Sequence, residues 1–139
     1  MKISRFKYQY NKGASRLHRT IGEILRSPPW NHYRVYQEYP VNKINPKFKS
    51  GRERFDWYIK DLNLIIELMG SQHEVPVTFG GISKLQAGFD LIKRIKKDIS
   101  KKLAAEEMDC IYLVIWYHEI ITPELLWIKY KEAKKIKHA

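Results

Sequence analysis

The sequence has little cysteine and no long apolar stretch, and both features narrow the class of protein. Cys110 is the single cysteine among 139 residues, so an internal disulfide cannot form. The longest apolar run, from Cys110 to Tyr117, is far shorter than the roughly 20 residues needed to span a bilayer. The first residues also lack the apolar core of a secretion signal. We therefore expect an intracellular, cytoplasmic protein with no membrane partner, and a bacterial, phage or archaeal setting is compatible with that.

The length and composition indicate one folded domain. A chain of 139 residues with 44% hydrophobic and 13% aromatic residues can bury a core, but it is too short for two domains. We predict a single domain over residues 1–139. A basic arm at 1–13 and a basic tail at 129–139 would flank its folded part.

The charge of the chain is strongly positive and unevenly distributed. The net charge is +11, which usually indicates an anionic partner such as nucleic acid. Residues 1–54 hold 13 Lys or Arg against 3 acids, whereas residues 55–81 hold one Lys against four acids. An acidic island in a basic chain is expected where a divalent cation is held beside a polyanion. Chance segregation on a solvated surface would produce the same pattern.

The periodicity of apolar residues predicts the order α-β-β-β-α-β-α. Helices are expected over 14–27, 83–107 and 122–135, and strands over 34–41, 53–60, 64–69 and 111–116. This order favours an α/β sandwich with a mixed sheet. The long helix carries an apolar stripe, which we expect to be buried, with lysines covering the rest of its surface. The stripe comprises Leu85, Phe89, Ile92, Ile95 or Ile99, and Leu103.

The most informative residue is Glu67, which interrupts the apolar strand at 64–69. A carboxylate in such a strand is costly unless it is paired, hydrogen-bonded or bound to metal. The turn at 61–63 predicts a hairpin that brings Asp56 opposite residues 67 to 69. Two adjacent carboxylates repel, and a divalent cation is the usual remedy. We predict that Asp56 and Glu67 bind Mg²⁺, with Mn²⁺ as a substitute; a solvent-facing Glu67 is the alternative.

Basic residues provide candidate contacts to phosphate. They lie in the loop at 42–54 and on one face of the long helix. A solvated charged loop and a run of surface ion pairs are the competing interpretations. The candidates are Lys47, Lys49, Arg52, Arg54, Arg94, Lys97 and Lys101.

Further candidates lie near the carboxylates. Gly70 allows a turn at the end of the strand, after which Gln72 and His73 would project beside Asp56 and Glu67. His73 is a candidate base, proton shuttle or ligand, although a polar surface histidine would look the same. Glu23 on the first helix is, by itself, an ordinary surface residue.

These residues, in this order, resemble the core of the PD-(D/E)xK nuclease superfamily. The likeness is nearest to very-short-patch-repair endonucleases and small proteins of the DUF559 type, and it covers about residues 14–119. Those proteins have a helical glutamate, an aspartate followed by an aromatic residue, a glutamate strand ending in glycine and Gln-His, a helix with Asp and Lys, and a strand ending in Ile-Trp. The matching residues here are Glu23, Asp56 with Trp57 and Tyr58, Glu67, Gly70, Gln72, His73, Asp98, Lys101, Ile115 and Trp116.

The resemblance implies a restriction-endonuclease-like fold and a metal-dependent DNA endonuclease that hydrolyses phosphodiester bonds. It adds Glu23 to the catalytic set of Asp56, Glu67, Gln72 and His73. Met69 stands where the superfamily has its lysine, so that role would pass to Gln72, His73, Lys97 or Lys101, or be absent.

The sequence is compatible with several kinds of substrate and with one function that is not enzymatic. Within the enzyme class, the substrate is a duplex, a junction cut by a homodimeric resolvase, or a site for nicking or homing; a toxin or an RNA-directed nuclease is a weaker option. The alternative outside that class is an inactive nucleic-acid-binding protein on a nuclease-like fold, which Met69 favours.

Overall fold

A mixed four-stranded sheet organises the chain in the computed structural model, which describes residues 16–70 and 84–138. The strands are β1 (Val35–Pro40), β2 (Arg54–Ile59), β3 (Leu64–Met69) and β4 (Ile111–Trp116), side by side in that order. β2 pairs antiparallel with β1 and β3, and β3 pairs parallel with β4. The helices are α1 (Arg16–Leu25), the single turn α2 (Val41–Ile44), α3 (Lys84–Glu107) and α4 (Pro123–Lys137). The predicted mixed α/β class is confirmed, and α2 is an addition within the predicted loop.

Local sequence explains where several elements begin and end. The Thr122 side chain caps α4 by accepting a hydrogen bond from the Leu125 amide at 3.1 Å, and Pro123 occupies the first turn. Asn63 adopts a left-handed conformation with φ of 49°, which closes the turn between β2 and β3. Asparagine tolerates this conformation better than most residues do, so Asn63 favours the turn at this position.

Two apolar clusters hold the helices against the sheet. One contains Ile21, Leu25, Trp57, Ile66 and Leu126, which join α1 and α4 to the sheet. The other is smaller and contains Val41, Phe55, Ile65, Ala104 and Ala105, which join α2 and the end of α3 to the sheet. The sheet is therefore a central layer between helices, as the element order predicted.

The prediction that the stripe of α3 is buried is wrong. All of its side chains are exposed, by 41% at Ile95 to 71% at Leu85. The residues of α3 that are buried are Ala87, Lys101, Ala104 and Ala105. Small side chains allow close packing on the sheet, so α3 presents its small and polar face inward and its apolar face outward.

The structure describes the predicted basic tail but not the predicted basic arm. The predicted arm at 1–13 lies outside the described residues. The predicted basic tail is helical as far as Lys137, as part of α4. In the two described ranges, no helix combines the length and the apolar character needed to cross a membrane.

Candidate active site

Asp56 on β2 and Glu67 on β3 lie opposite each other, at the point where side-chain carboxylates accept hydrogen bonds from backbone amides. The backbone ladder includes Trp57 opposite Ile66, and the same register places Asp56 opposite Glu67. At this point side chains replace backbone partners. The Asp56 amide donates to Glu67 Oε1 at 2.8 Å, and the Leu68 amide donates to Asp56 Oδ2 at 2.8 Å. The predicted proximity of the two carboxylates is confirmed, and both are held by backbone N–H groups.

Lys101 reaches this pair from α3. Its Nζ lies 2.6 Å from Glu67 Oε2, and the two residues are 8% and 2% exposed respectively. The ammonium also lies 5.7 Å from the centre of the Phe55 ring. Met69, two residues after Glu67, is buried. Lys101 thus places a lysine beside Glu67, although the residue two positions after Glu67 in the strand is Met69.

The electrostatics of Glu67 reflect its burial. Burial first, and then the charge of Asp56, raise the pKa of Glu67 to about 7, against the opposing effect of Lys101. Burial and the neighbouring carboxylates Glu67, Asp98 and Asp56 also raise the pKa of Tyr112 on β4. Glu67 therefore exchanges its proton near neutral pH, which is uncommon for a carboxyl group and frequent in functional sites.

Two further residues surround Asp56, namely Glu38 from β1 and His18 from α1. One potential ligand atom from each of the three residues lies within 4.8 Å of the other two. Burial and the charge of Asp56 raise the pKa of Glu38. Burial lowers the pKa of His18, although Asp56 acts in the opposite direction. A mainly neutral imidazole and two carboxylates are groups that bind divalent metals.

The backbone at Glu38 is unusual. Its φ of 54° lies in the left-handed region, within a strand whose neighbours Gln37 and Tyr39 pair with Trp57 and Phe55. Such a conformation is uncommon for residues other than glycine and occurs frequently at functional sites. In this chain it interrupts β1 beside Asp56.

His18 is positioned by its own contacts. Its Nε2 lies 2.8 Å from Gln37 Nε2, and its ring centroid is 4.9 Å from that of Trp57. These contacts join α1, β1 and β2 at the site. Because α1 packs through Ile21 and Leu25, the position of His18 depends on the main apolar core.

No known protein family, curated protein or solved structure matches this chain.

The other predicted catalytic residues differ in their location. Glu23 is exposed on α1, and the residue of that helix that reaches Asp56 is His18, five positions earlier. Gln72 and His73 lie outside the described residues. Their predicted roles stay predictions.

Most of the predicted phosphate-binding residues are exposed, and two of the exposed ones form ion pairs. Lys49, Arg52 and Arg54 are exposed in or beside the loop before β2. Lys47 is exposed and pairs with Glu107 at 3.1 Å, and Lys97 pairs with Glu53 at 3.3 Å. Arg94 lies on the same inward face of α3 and is partly buried. Lys101 was expected on a DNA-binding surface, but its ammonium is buried against Glu67.

Sequence reasoning missed Glu38 and His18. Glu38 lies on β1, the strand that precedes β2 and its Asp56, and this order was visible in the sequence. The register of β1 against β2, which places Glu38 beside Asp56, was not. The signal for His18 was a polar residue beside Leu17 at the edge of the apolar face of α1.

Proposed function

We propose that this protein is a divalent-metal-dependent DNA endonuclease. The observation that carries the proposal is the convergence on Asp56 of Glu38, His18 and the buried Glu67–Lys101 pair. This set unites acidic ligands with a buried lysine in a chain whose net charge is +11. Such a combination favours phosphodiester hydrolysis, because a metal held by carboxylates and a positively charged surface both stabilise the negative charge of the substrate and of the transition state.

The residues around Asp56 fit a divalent cation. Oxygen ligands of Mg²⁺ lie about 2.1 Å from the ion, so opposite ligands are about 4 Å apart. The candidate ligand atoms of Glu38, Asp56 and His18 lie within 4.8 Å of one another, so binding would draw neighbouring ligands in to the separation of about 3 Å that octahedral geometry requires. Carboxylates suit Mg²⁺, and an imidazole ligand adds affinity for Mn²⁺. When bound, such an ion supplies charge neutralisation and a more acidic water molecule.

Glu67 was predicted to bind the metal together with Asp56, but in this proposal Glu67 and Lys101 have a positioning role, because the cluster of candidate ligands consists of His18, Glu38 and Asp56. Glu67 holds the Asp56 amide, and Lys101 holds the other carboxylate oxygen of Glu67. In this proposal Lys101 substitutes for the lysine of the superfamily motif, because Met69 occupies the position of that lysine in the strand. Gln72 and His73 remain proposed as groups that orient the attacking water, and Glu23 as an additional carboxylate.

The exposed basic residues support a nucleic-acid substrate. Arg54 donates to the Glu38 carbonyl at 3.3 Å, and Lys49 and Arg52 precede it in the exposed loop, so a phosphate bound by Arg54 would lie beside the acidic cluster. Opposite charges in adjacent regions orient a polyanion and reduce its repulsion from the carboxylates. Whether a duplex, a junction or a nicked substrate is preferred depends on surface shape.

A cleavage panel tests the proposal. Purified protein is incubated with duplex, flap, four-way junction and mismatch DNA in Mg²⁺, Mn²⁺ or EDTA. We expect metal-dependent cleavage of at least one substrate, and a loss of about 100-fold or more in Asp56→Asn and Glu38→Gln. Asp109→Asn is the matched control, because Asp109 is exposed, and asparagine tolerates its φ of 58°. Full activity in Asp56→Asn would refute the assignment.

An inactive nucleic-acid-binding protein is the second candidate. It is favoured by Met69 and by the fact that both Glu67 oxygens already accept hydrogen bonds. This candidate predicts DNA binding in EDTA with no cleavage of any substrate in either metal. Binding measured by gel shift on the same panel separates the two candidates.

A further inference from the structure

The apolar stripe of α3 is unexplained by the candidate active site. Lys101 and the stripe lie on opposite sides of the helix, because residues 92, 99 and 103 are half a turn from residue 101 at 3.6 residues per turn. The inward side is small or charged, and the outward side is large and apolar. A helix on a monomer normally has the reverse arrangement. The stripe comprises Leu85, Phe89, Ile92, Ile95, Ile99 and Leu103.

The size of the stripe is close to that of a protein interface. Its six side chains are 41–71% exposed. An aromatic side chain such as Phe89 has about 150–250 Å² and the Leu and Ile side chains have slightly less, so the six together expose on the order of 500–600 Å². That area is at the upper end of apolar patches on monomers, and it is most of the roughly 800 Å² that each partner buries in a standard interface.

The stripe also continues onto the sheet. Ile95 and Ile99 line a groove of about 210 Å³ together with Met69, Val114 and Trp116. Among the described strands β4 lies at an edge of the sheet, and Val114 and Trp116 are only partly buried. The exposed apolar surface thus extends from α3 across one side of β4.

The order of side chains along the stripe is nearly the same from either end. Read inwards, Leu85, Phe89 and Ile92 correspond to Leu103, Ile99 and Ile95. Two such helices packed antiparallel around a two-fold axis near residue 94 would place each large side chain opposite another. A two-fold interface requires this self-complementarity, because the same patch must cover itself.

We propose that α3 of one copy packs antiparallel against α3 of a second copy, forming a homodimer. The stripe of each copy covers the stripe of the other, and the groove beside β4 receives the flanking side chains. The dimer goes beyond the proposed nuclease function and is independent of it. For a nuclease, two copies of the site would be related by the same axis, as cutting two strands requires.

The charge around the stripe predicts a salt dependence. Lys93, Lys96 and Lys102 border the stripe, and the chain as a whole carries +11. Like charges oppose self-association, and salt screens them. We therefore expect the dimer to strengthen as salt increases. An acidic partner on the stripe would bind less tightly under the same change.

Analytical ultracentrifugation of the full chain, in the absence of DNA, tests the proposal. We expect a dimer at micromolar concentration and about 100-fold or greater weakening in Ile92→Asp, because a buried unpaired charge occurs twice in a two-fold interface. Ile128→Asp on α4 is the matched control, since Ile92 and Ile128 are both 50% exposed. Far-ultraviolet circular dichroism checks that both variants fold. A monomeric wild-type protein, or equal weakening by Ile128→Asp, would overturn the proposal.

Cysteine cross-linking tests the direction of packing. In an antiparallel pair, position 95 lies near the two-fold axis, so the cysteine of Ile95→Cys in one copy forms a disulfide with the same cysteine in the second copy. Leu85→Cys forms one with Leu103→Cys in a mixed sample, but not with itself. Self-linking of Leu85→Cys would exclude the antiparallel arrangement. Because these readouts involve no cleavage, failure of the dimer and failure of the nuclease proposal are distinguishable.

Discussion

Lys101→Met tests how strongly the buried ammonium acts on Glu67. The two charged groups lie 2.6 Å apart, in residues that are 8% and 2% exposed, so solvent screens them weakly. The variant removes the cation and leaves Glu67 buried beside Asp56. We expect the pKa of Glu67 to rise well above its wild-type value of about 7.

Proton linkage gives the expected magnitude. The wild-type folded pKa of about 7 exceeds the ordinary value of 4.5, so the proton on Glu67 stabilises the folded state at low pH, and this contribution is lost as pH rises through 7. In Lys101→Met, the folded state keeps the proton to higher pH. At about 1.4 kcal/mol per pH unit, the variant therefore loses up to about 3 kcal/mol relative to wild type between pH 7 and 9, and the full amount corresponds to a Glu67 that stays protonated up to pH 9.

Urea denaturation at pH 5.5 and pH 9 measures this difference. The control is Lys97→Met, because Lys97 pairs with Glu53 at 3.3 Å but its side chain is 55% exposed. Exposed pairs contribute about 0–1 kcal/mol, so we expect a small effect at both pH values. Equal destabilisation by Lys101→Met at pH 5.5 and pH 9 would refute the assigned coupling between Lys101 and Glu67.

Further predictions concern the metal, the basic loop and the fold. Mn²⁺ affinity should increase from pH 6 to pH 8 with proton release, because Glu67 ionises near pH 7 and its negative charge favours a cation nearby. Calorimetry in two buffers of different ionisation enthalpy measures the affinity and the number of protons released. Glu67→Gln should remove most of the increase in affinity. Neutralising Lys49 and Arg52 together should reduce the slope of log affinity for DNA against log salt by about 2, and an unchanged slope would remove this loop from the interface. Asn45→Ala should lower the free energy of unfolding by about 1–3 kcal/mol in urea titrations, because the buried Asn45 amide donates to the Ala104 carbonyl at 3.0 Å. Thr122→Ala should cost about 1 kcal/mol through loss of the cap on α4, whereas Thr122→Ser should retain most of the stability.

Much of the fold follows from local patterns. The strand at 64–69 and the cap at Thr122 were predictable, since each depends on residues adjacent in the chain. The proximity of Asp56 and Glu67 was predictable for the same reason, because the short turn between their strands restricts the register. The metal itself and the DNA substrate stay predictions.

The rest of the site depends on contacts between distant segments. Glu38 and His18 approach Asp56 through the pairing of β1 with β2 and the packing of α1 on the sheet. Lys101 approaches Glu67 from a position 34 residues later in the chain. Any of several lysines on α3 had the same local character, so only the rotation of the helix selected Lys101.

The sequence alone determined that the chain has no internal disulfide and that Asp56 and Glu67 lie close together. Composition and the register of a hairpin require no contact with a distant segment. The orientation of α3 was decided by the tertiary structure. Periodicity reports that a helix has an apolar face, but not which surface covers that face. Close packing against the sheet selected the alanines and Lys101 for the inside, and directed the apolar stripe outward.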